Sequence, residues 1–317
     1  MRRVIVNKIS VFLLMLILPV LSVFSQQDPQ FNQILFNPLS INPGFAGSQK
    51  NMIGVGAINR IQWSGFGEGA PLTTNLGINA PIAPFGFKSG VGLSILNDRF
   101  GFNSDIGLNL SYAARFNIKK VDGNLGVGVG VGFINNSINP TWNYPAGGTD
   151  DAIPDQKESS INLDLSAGLF YNTDYMFFGV SALHINETKM NKAPLSARYT
   201  RQFYLTGGYI IDFAGNNWQY EPSVLIHTDL KMNKLAINSI VRYNKKFWGG
   251  VSYRVAEALT AMVGFELFNG VKIGYAYEFS LTKISKYNDG SHEFYVGYNF
   301  QLKKEKPPQQ YKSLRFL

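Results

Sequence analysis

The sequence predicts an all-β fold, a transmembrane antiparallel β-barrel of about 14 strands, and three observations lead to this prediction. Apolar residues recur at every second position from residue 51 onward, charged residues are scarce while aromatic residues and glycine are abundant, and long and short connections alternate. Period-two alternation is typical of strands with one apolar and one polar face. In an outer-membrane barrel the apolar face contacts lipid and the other face lines the lumen.

The alternation is clearest in two stretches of the chain. Between residues 106 and 116 the even positions are mostly large and apolar, and their neighbours are small or polar. Between residues 125 and 133 the odd positions are Leu, Val, Val, Val and Phe, and every even position is Gly. About fourteen such runs are present, near residues 51–64, 72–82, 88–97, 104–116, 123–135, 159–173, 176–184, 201–212, 218–227, 235–245, 247–254, 258–267, 271–279 and 291–302.

The composition supports a barrel over other fold classes. Only 16% of the 317 residues are charged, against about a quarter in ordinary soluble domains, and the chain has 24 Phe, 16 Tyr and 32 Gly. A mean hydropathy of −0.04 is too low for a helical membrane protein, whose spans need about 20 consecutive apolar residues. No convincing helical periodicity appears after residue 50. The composition therefore fits strands that expose every second residue to lipid.

The connections between the predicted strands distinguish a barrel from a soluble sandwich. Long connections are predicted at 65–71, 136–158, 185–200 and 280–290, and tight ones at 83–87, 117–122, 174–175, 213–217, 246 and 268–270. A barrel with short periplasmic turns and longer outer loops has this alternation. A soluble sandwich has no physical reason to sort its connections in this way. The barrel is therefore the favoured prediction.

The N-terminus has the features of a secretory signal peptide, predicted over residues 1–25. Arg2, Arg3 and Lys8 form a basic region, residues 11–23 are almost wholly apolar, and cleavage is expected after Ser25. The expected organisation is then a motif segment at 26–50, the barrel at 51–302 and a basic periplasmic tail at 303–317. The signal implies export to the outer membrane.

No catalytic, cofactor or metal site is predicted. The glycines of the 126–132 run alternate within a strand, which is the wrong context for a phosphate-binding loop. The three histidines His184, His227 and His292 lack the spacing of metal ligands, and no GxSxG motif occurs. The chain contains no Cys, which excludes disulfides and thiolate chemistry. Without the three basic signal residues the net charge of +8 falls to about +5, and this excess is attributed to loops facing anionic lipid, glycan or protein. No nucleic-acid partner is expected.

Two predicted outer loops carry clustered charge. Four acids within residues 150–158 have the chemistry of calcium ligands without EF-hand spacing, and a solvated loop is the favoured interpretation. Four cations within residues 189–201 suit either solvent or an acidic partner, and solvated charge is again favoured.

The segment before the predicted barrel reads DPQFNQILFNPLSINPGFAGS, from Asp28 to Ser48. The pairs Asn37-Pro38 and Asn42-Pro43 form turns, because Asn bonds to its own backbone and Pro fixes φ. Three spaced phenylalanines between the turns supply apolar anchors. The segment is unsuited to lipid, and it is either an N-terminal linker or a compact element that packs against the rest of the chain.

This segment resembles the opening signature of the PorP/SprF family of Bacteroidetes outer-membrane proteins. The resemblance lies in D-P-Q-F-x-Q, then F-N-P, then N-P-x-F-A-G-S, directly after a signal peptide. Gly44 replaces the more usual Ala, and the end YKSLRFL is a weaker second similarity. The matching residues are Asp28, Pro29, Gln30, Phe31, Gln33, Phe36, Asn37, Pro38, Asn42, Pro43, Phe45, Ala46, Gly47 and Ser48.

The resemblance implies a non-enzymatic component of the type IX secretion and gliding-motility system, which supports secretion or surface attachment of cargo such as large adhesins. Its expected partners are secretion-machinery proteins, a secreted surface protein and outer-membrane lipid. Under this hypothesis the 28–48 segment is a plug or a cap at the periplasmic mouth, packed against a small luminal wall of Gly126, Gly128, Gly130 and Gly132. The alternatives are a passive channel for small solutes and an outer-membrane hydrolase or acyltransferase.

Overall fold

Strands make up most of the protein in the computed structural model, which describes residues 28–140, 156–188, 199–213, 217–267 and 270–302. Within these ranges fifteen strand segments follow one another along the chain. They are β1 (Met52–Ile61), β2 (Leu72–Ile82), β3 (Ser89–Phe100), β4 (Asn103–Ile118), β5 (Gly123–Ile138), β6 (Glu158–Asn172), β7 (Met176–Leu183), β8 (Gln202–Tyr209), β9 (Ile211–Asp212), β10 (Trp218–Thr228), β11 (Asn233–Tyr243), β12 (Phe247–Arg254), β13 (Ala258–Glu266), β14 (Val271–Ser280) and β15 (Ser291–Gln301).

All strand pairings are antiparallel between neighbours, and the sheet closes on itself. β1 pairs with β2 on one side and with β15 on the other, so the first and last strands meet. The segments β8 and β9 both pair with β10 and are separated only by Ile210, so they occupy one strand position. The pairing of β10 with β11 completes the circle. The result is the closed 14-strand barrel that the alternation predicts.

The two faces of the barrel have opposite chemistry. In β5, Val127, Val129 and Val131 are exposed on the outside, whereas the intervening glycines are turned inward and are mostly buried. Across the chain the buried polar side chains face inward, and they include Arg60, which is 1% exposed. Apolar side chains face outward because lipid, unlike water, imposes no penalty on them.

The connections divide between the two ends of the barrel. One end, the loop end, carries the long connections 62–71, 139–157, 184–201 and 281–290, and the other, the turn end, carries shorter ones such as 119–122 and 173–175. Three loop-end connections are short as well, at 101–102, 229–232 and 255–257. The connections at the turn end are therefore short, as predicted, whereas the loop end has both long and short connections. A tight turn is enough to join two neighbouring antiparallel strands.

Some predicted features lie outside the described residues. These are the signal peptide over 1–25, the basic tail over 303–317, most of the acidic group (Asp150, Asp151 and Asp155) and most of the basic group (Lys189, Lys192 and Arg198). Among the described residues, none of the helices combines the length and the apolar character needed to cross a membrane.

Candidate functional site

Residues 28–48, hereafter the luminal segment, run through the inside of the barrel. Asp28 contacts His184 and Tyr204 near the loop end of β7 and β8. Ala46 accepts hydrogen bonds from Arg115 near the turn end of β4. The segment thus descends from the loop end to the turn end, where β1 begins. The segment therefore lies lengthwise within the lumen.

The segment folds into three short 3₁₀ turns, at Ile34–Phe36, Pro38–Ser40 and Pro43–Phe45. A proline opens the second and third turns, because its fixed φ suits the first helical position and it lacks an N–H to satisfy. Asn42 caps the third turn, since its Oδ1 accepts a hydrogen bond of 2.8 Å from the N–H of Gly44. The Asn-Pro pairs therefore act locally as the sequence predicts, as turn formers.

An ionic triad fixes the loop-end part of the luminal segment. The imidazole of His184 lies between two carboxylates, with Nε2 at 2.9 Å from Asp28 Oδ1 and Nδ1 at 2.7 Å from Asp164 Oδ1. The hydroxyl of Tyr204 donates a further hydrogen bond of 3.2 Å to Asp28 Oδ2. With a carboxylate at each ring nitrogen, the imidazole donates at both positions only in its charged form.

Two side chains of the triad, His184 and Asp28, have pKa values shifted toward their charged forms. Burial lowers the pKa of His184, but the nearby carboxylates of Asp28 and Asp164 outweigh burial and raise it to about 10. Burial raises the pKa of Asp28, but the charge and hydrogen bond of His184 hold it below its ordinary value. His184 and Asp28 therefore form a charge pair at neutral pH.

A second set of contacts holds Asn32 and Gln33 of the segment against β15. The carboxylate of Glu293 accepts the backbone N–H of Asn32 at 2.8 Å and that of Gln33 at 2.7 Å. Arg60 lies 3.4 Å from Glu293 and 2.8 Å from Glu278, and all three side chains are buried. Because the lumen is shielded from water here, an unpaired charge would be strongly destabilising, and the pairing keeps these groups in place.

Arg115 holds the turn-end part of the segment. Its guanidinium donates to the carbonyl oxygens of Gly44 at 3.2 Å, of Phe45 at 2.8 Å and of Ala46 at 2.9 and 3.0 Å. A further hydrogen bond of 2.9 Å goes to Asn124 Oδ1. Arg115 is 5% exposed, so one rigid, forked cation satisfies three carbonyl groups that are out of reach of water.

The third turn packs directly on the wall of β5 at two of the four predicted glycines. A Cβ added to Gly126 would overlap the carbonyl oxygen of Gly44, and one added to Gly128 would overlap Pro43 and the Gly44 nitrogen. Gly44 in turn leaves no room for a Cβ against β6. At Gly130 and Gly132 an added Cβ would meet Asn109 and other atoms of the wall instead. Among the four predicted glycines, the segment's backbone therefore packs against the wall only at Gly126 and Gly128.

The three phenylalanines of the segment are placed on different parts of the wall. Phe31 is 7% exposed and belongs to the main internal apolar cluster. Phe36 lies between Trp248 and Tyr295, with ring centroids at 5.3 and 5.2 Å. Phe45 makes an edge-to-face contact with Phe170 at 5.1 Å. Such pairs contribute about 0.5–1.5 kcal/mol each beyond burial.

The other motif residues also contact the wall or bend the segment. Asn37 Nδ2 donates to Asn75 Oδ1 at 2.6 Å, and Asn42 Nδ2 donates to Leu169 O at 2.9 Å. Gly47 has a φ of 65°, which a side chain disfavours. The remaining members are Pro29, which lines cavities, Gln30, 3.5 Å from His227, Pro38, in the second turn, and Ser48, whose N–H donates to Phe45 O.

The wall residues that fix the segment were not predicted from the sequence. His184 was predicted only to occupy a strand end or a loop, and neither Arg115 nor Glu293 was singled out. Both are charged residues at inward-facing positions of their strands. An ionisable residue on the luminal face is the signal that identifies such positions. Their partners in the luminal segment lie from 69 to 261 residues away in the sequence, so no local pattern reveals them.

Cavities remain on both sides of the luminal segment, one toward the loop end and one toward the turn end. A cavity of about 620 Å³ opens toward the loop end, and its lining includes Trp63, Phe66 and Arg254. Another, of about 360 Å³, lies toward the turn end. No group of three metal-binding side chains occurs in the described part of the chain.

Solved structures with the same architecture are outer-membrane barrels. The CymD monoaromatic hydrocarbon channel matches with a TM-score of 0.52 and 11% identity over 85% of this chain and 94% of that chain. The toluene transporter TodX of P. putida matches with a TM-score of 0.47 and 12% identity over 85% and 95%. At such identities the likeness concerns the fold alone. The fold defines an outer-membrane β-barrel protein with an occupied lumen.

The family model described as "Type IX secretion system membrane protein PorP/SprF" matches residues 23–298. The chain therefore belongs to the PorP/SprF family, as the opening motif indicated, and it is an outer-membrane component of type IX secretion. No curated protein matches the sequence.

Proposed function

We propose that this protein is a non-enzymatic component of the type IX secretion and gliding-motility system that supports secretion or surface attachment of a specific cargo, such as a large adhesin. It acts through protein contacts at its two ends while the luminal segment plugs the barrel. Secretion-machinery proteins, the cargo and outer-membrane lipid are its partners. The observation that carries the proposal is that the family motif itself fills the lumen.

The contacts of the luminal segment favour a plug over a free linker. It is fixed at three levels, by the His184 triad, by Glu293 and by Arg115, and each level uses a different part of the wall. A free linker would not require a buried charged side chain at each of these three places, because a buried charge is strongly destabilising unless it is paired. A barrel so filled is better suited to docking proteins than to passing solutes.

Isolation of the tagged full-length protein from its own outer membrane in mild detergent tests the partner assignment. Mass spectrometry of the co-purified proteins is expected to identify secretion-machinery components or one large surface protein. Recovery of the folded barrel alone, in good yield, would contradict the proposal and favour the channel.

Deletion of residues 28–48 tests the role of the luminal segment. The barrel is expected to remain folded, as judged by heat-dependent migration on gels, while cargo display at the cell surface is lost. Normal display with the segment deleted would exclude the docking role.

A passive channel for small solutes is the second candidate, because sizeable cavities flank the luminal segment on both sides. Planar-bilayer recordings separate the two functions. A plugged secretion component is expected to be silent and to conduct only after deletion of 28–48, whereas a channel conducts with the segment in place.

A further inference from the structure

The cavity at the turn end, hereafter the inner cavity, is an apolar concavity beneath the luminal segment. It measures about 360 Å³, within the range of ligand-binding pockets. Its floor and walls combine side chains of the segment with those of β6 to β8 and β15. The apolar lining consists chiefly of Phe36, Phe45, Phe170, Met176, Phe177 and Ile210.

Polar groups in the lining lack partners. The carboxamide oxygens of Gln49, Asn79 and Asn172 have no hydrogen-bond partner in the described part of the chain. All three residues line the inner cavity, and Asn79 is 7% exposed. Buried acceptors without donors are costly, so an occupant that brings N–H groups is favoured. Apolar contacts together with N–H donors are what an extended peptide supplies.

The charge of the inner cavity restricts the kind of peptide it accepts. Lys272 is the only charged side chain among the described residues that line it. The described lining offers no carboxylate to pair with a basic side chain, so a suitable peptide presents apolar residues inward and any basic residue toward the solvent.

The described chain stops at the rim of this cavity. The N–H of Leu302 donates to the carbonyl of Asn51 at 2.8 Å, and Asn299, three residues earlier, lines the cavity. Residues 303–317 follow, and they end in Tyr-Lys-Ser-Leu-Arg-Phe-Leu. In an extended peptide Leu314 and Phe316 share one face, and Arg315 lies on the opposite face. Twelve residues span up to about 40 Å, so this apolar pair is within reach.

We propose that the inner cavity binds the chain's own C-terminal segment, with Leu314 and Phe316 inserted beneath the luminal segment as an extended peptide. Arg315 then points to solvent, away from Lys272, and backbone N–H groups of the peptide meet the unpaired carboxamide oxygens. The bound tail covers the underside of the plug and links the last strand to the first element of the fold.

Disulfide trapping in the full-length protein, purified in mild detergent, tests this placement. The chain has no native Cys, so any disulfide that forms must join introduced cysteines. Phe316→Cys combined with Met176→Cys in the inner cavity is expected to form an intramolecular disulfide on mild oxidation. The matched control pairs Phe316→Cys with Leu230→Cys, which is exposed at the loop end and is expected to stay reduced.

Two outcomes would overturn the proposal. One is the absence of the Met176–Phe316 cross-link in protein that remains folded by heat-dependent migration. The other is a cross-link that joins two copies of the chain, which would place the tail on a neighbouring molecule.

Thiol protection gives an independent measurement. A tethered peptide has an effective concentration of about 1 mM. With a dissociation constant of about 0.1 mM, the cavity would be empty only about one tenth of the time, and a thiol inside it would react about tenfold more slowly. Phe177→Cys is therefore expected to react with a maleimide about tenfold faster after deletion of 303–317 or in Phe316→Asp. Equal rates with and without the tail would contradict occupancy by this segment.

Discussion

Arg115 links the irregular luminal segment to a strand of the barrel wall. Its guanidinium reaches three consecutive carbonyl groups of the luminal segment from a strand of the wall. Backbone carbonyls inside a turn have few partners of their own, and a planar cation with five donors satisfies several at once. The hydrogen bonds of this one side chain thereby take the place of the strand-to-strand hydrogen bonds that the segment does not form.

Replacement of Arg115 by Met is expected to release the turn-end part of the luminal segment while the barrel stays closed. The change leaves the carbonyls of Gly44 and Ala46 without a partner, while that of Phe45 keeps the N–H of Ser48, and we expect a loss of about 3 kcal/mol. A single cysteine at Leu39, which is 4% exposed, then reacts with maleimide on the order of a hundredfold faster. Lys231→Met removes a charge at an exposed position and is expected to change nothing; an unchanged rate in R115M would refute the anchoring role.

Gly128 tests the close approach of the two backbones. Gly128→Ala places a methyl group where Pro43 and Gly44 lie, so we expect it to displace the third turn and raise the reactivity of the Leu39 cysteine. Gly107→Ala in β4 is the matched control, because its nearest neighbour would be 3.7 Å away, an ordinary contact. If both alanine variants behave like the parent, the packing of the third turn against β5 is not required.

The Asp28–His184 pair gives the docking of the luminal segment a pH dependence. His184 has its pKa raised from 6.5 to about 10, so its contribution is complete below about pH 6.5 and is lost as the pH rises through 10. Asp28 has its pKa lowered, so its contribution is present above about pH 3.8 and is lost as the pH falls further. Docking is therefore expected to be tightest between about pH 4 and 6.5.

Labelling of the Leu39 cysteine across this range, normalised to an exposed cysteine at Leu230, measures the effect. The normalised rate is expected to rise on both sides of the window. His184→Gln keeps a hydrogen-bonding side chain without the charge and is expected to abolish the rise at high pH. A profile that His184→Gln leaves unaltered would show that the triad does not control docking.

At the scale of elements, the strands were the most predictable part of the molecule. β5 illustrates the reason: its alternation of glycine with valine fixes which face meets lipid, and a shift of one residue would reverse both faces. Most predicted strand limits therefore agree with the structure within a few residues. The break at Ile210 between β8 and β9 was not predicted, because it interrupts the pairing without interrupting the apolar pattern.

The luminal segment was predictable in its turns but not in its contacts. Asn-Pro pairs act within three or four residues, so their effect is visible in the sequence. The partner of Asn42, the carbonyl of Leu169, lies 127 residues away. No local rule relates two such positions, and only the closure of the barrel brings them together.

At the scale of the whole molecule, closure is the condition for insertion into the membrane. β15 pairs with both β1 and β14, so it supplies hydrogen bonds to two neighbours at once. Removal of 291–317 is expected to leave two open strand edges in lipid, where each unpaired backbone group costs several kcal/mol, and to abolish heat-modifiable migration. Removal of 303–317 alone is expected to leave the barrel folded. A folded product from the larger deletion would contradict the requirement for closure.

The sequence by itself determined the barrel, its strand number, its lipid-facing surface and its family, because alternation and the opening motif are local properties of the chain. The tertiary structure decided the path of the luminal segment, its use of Arg115, His184 and Glu293, and the restriction of the glycine wall to Gly126 and Gly128. These features depend on which strands face each other across the lumen. That arrangement is set by barrel closure, which joins residues too distant in sequence for any local pattern to relate.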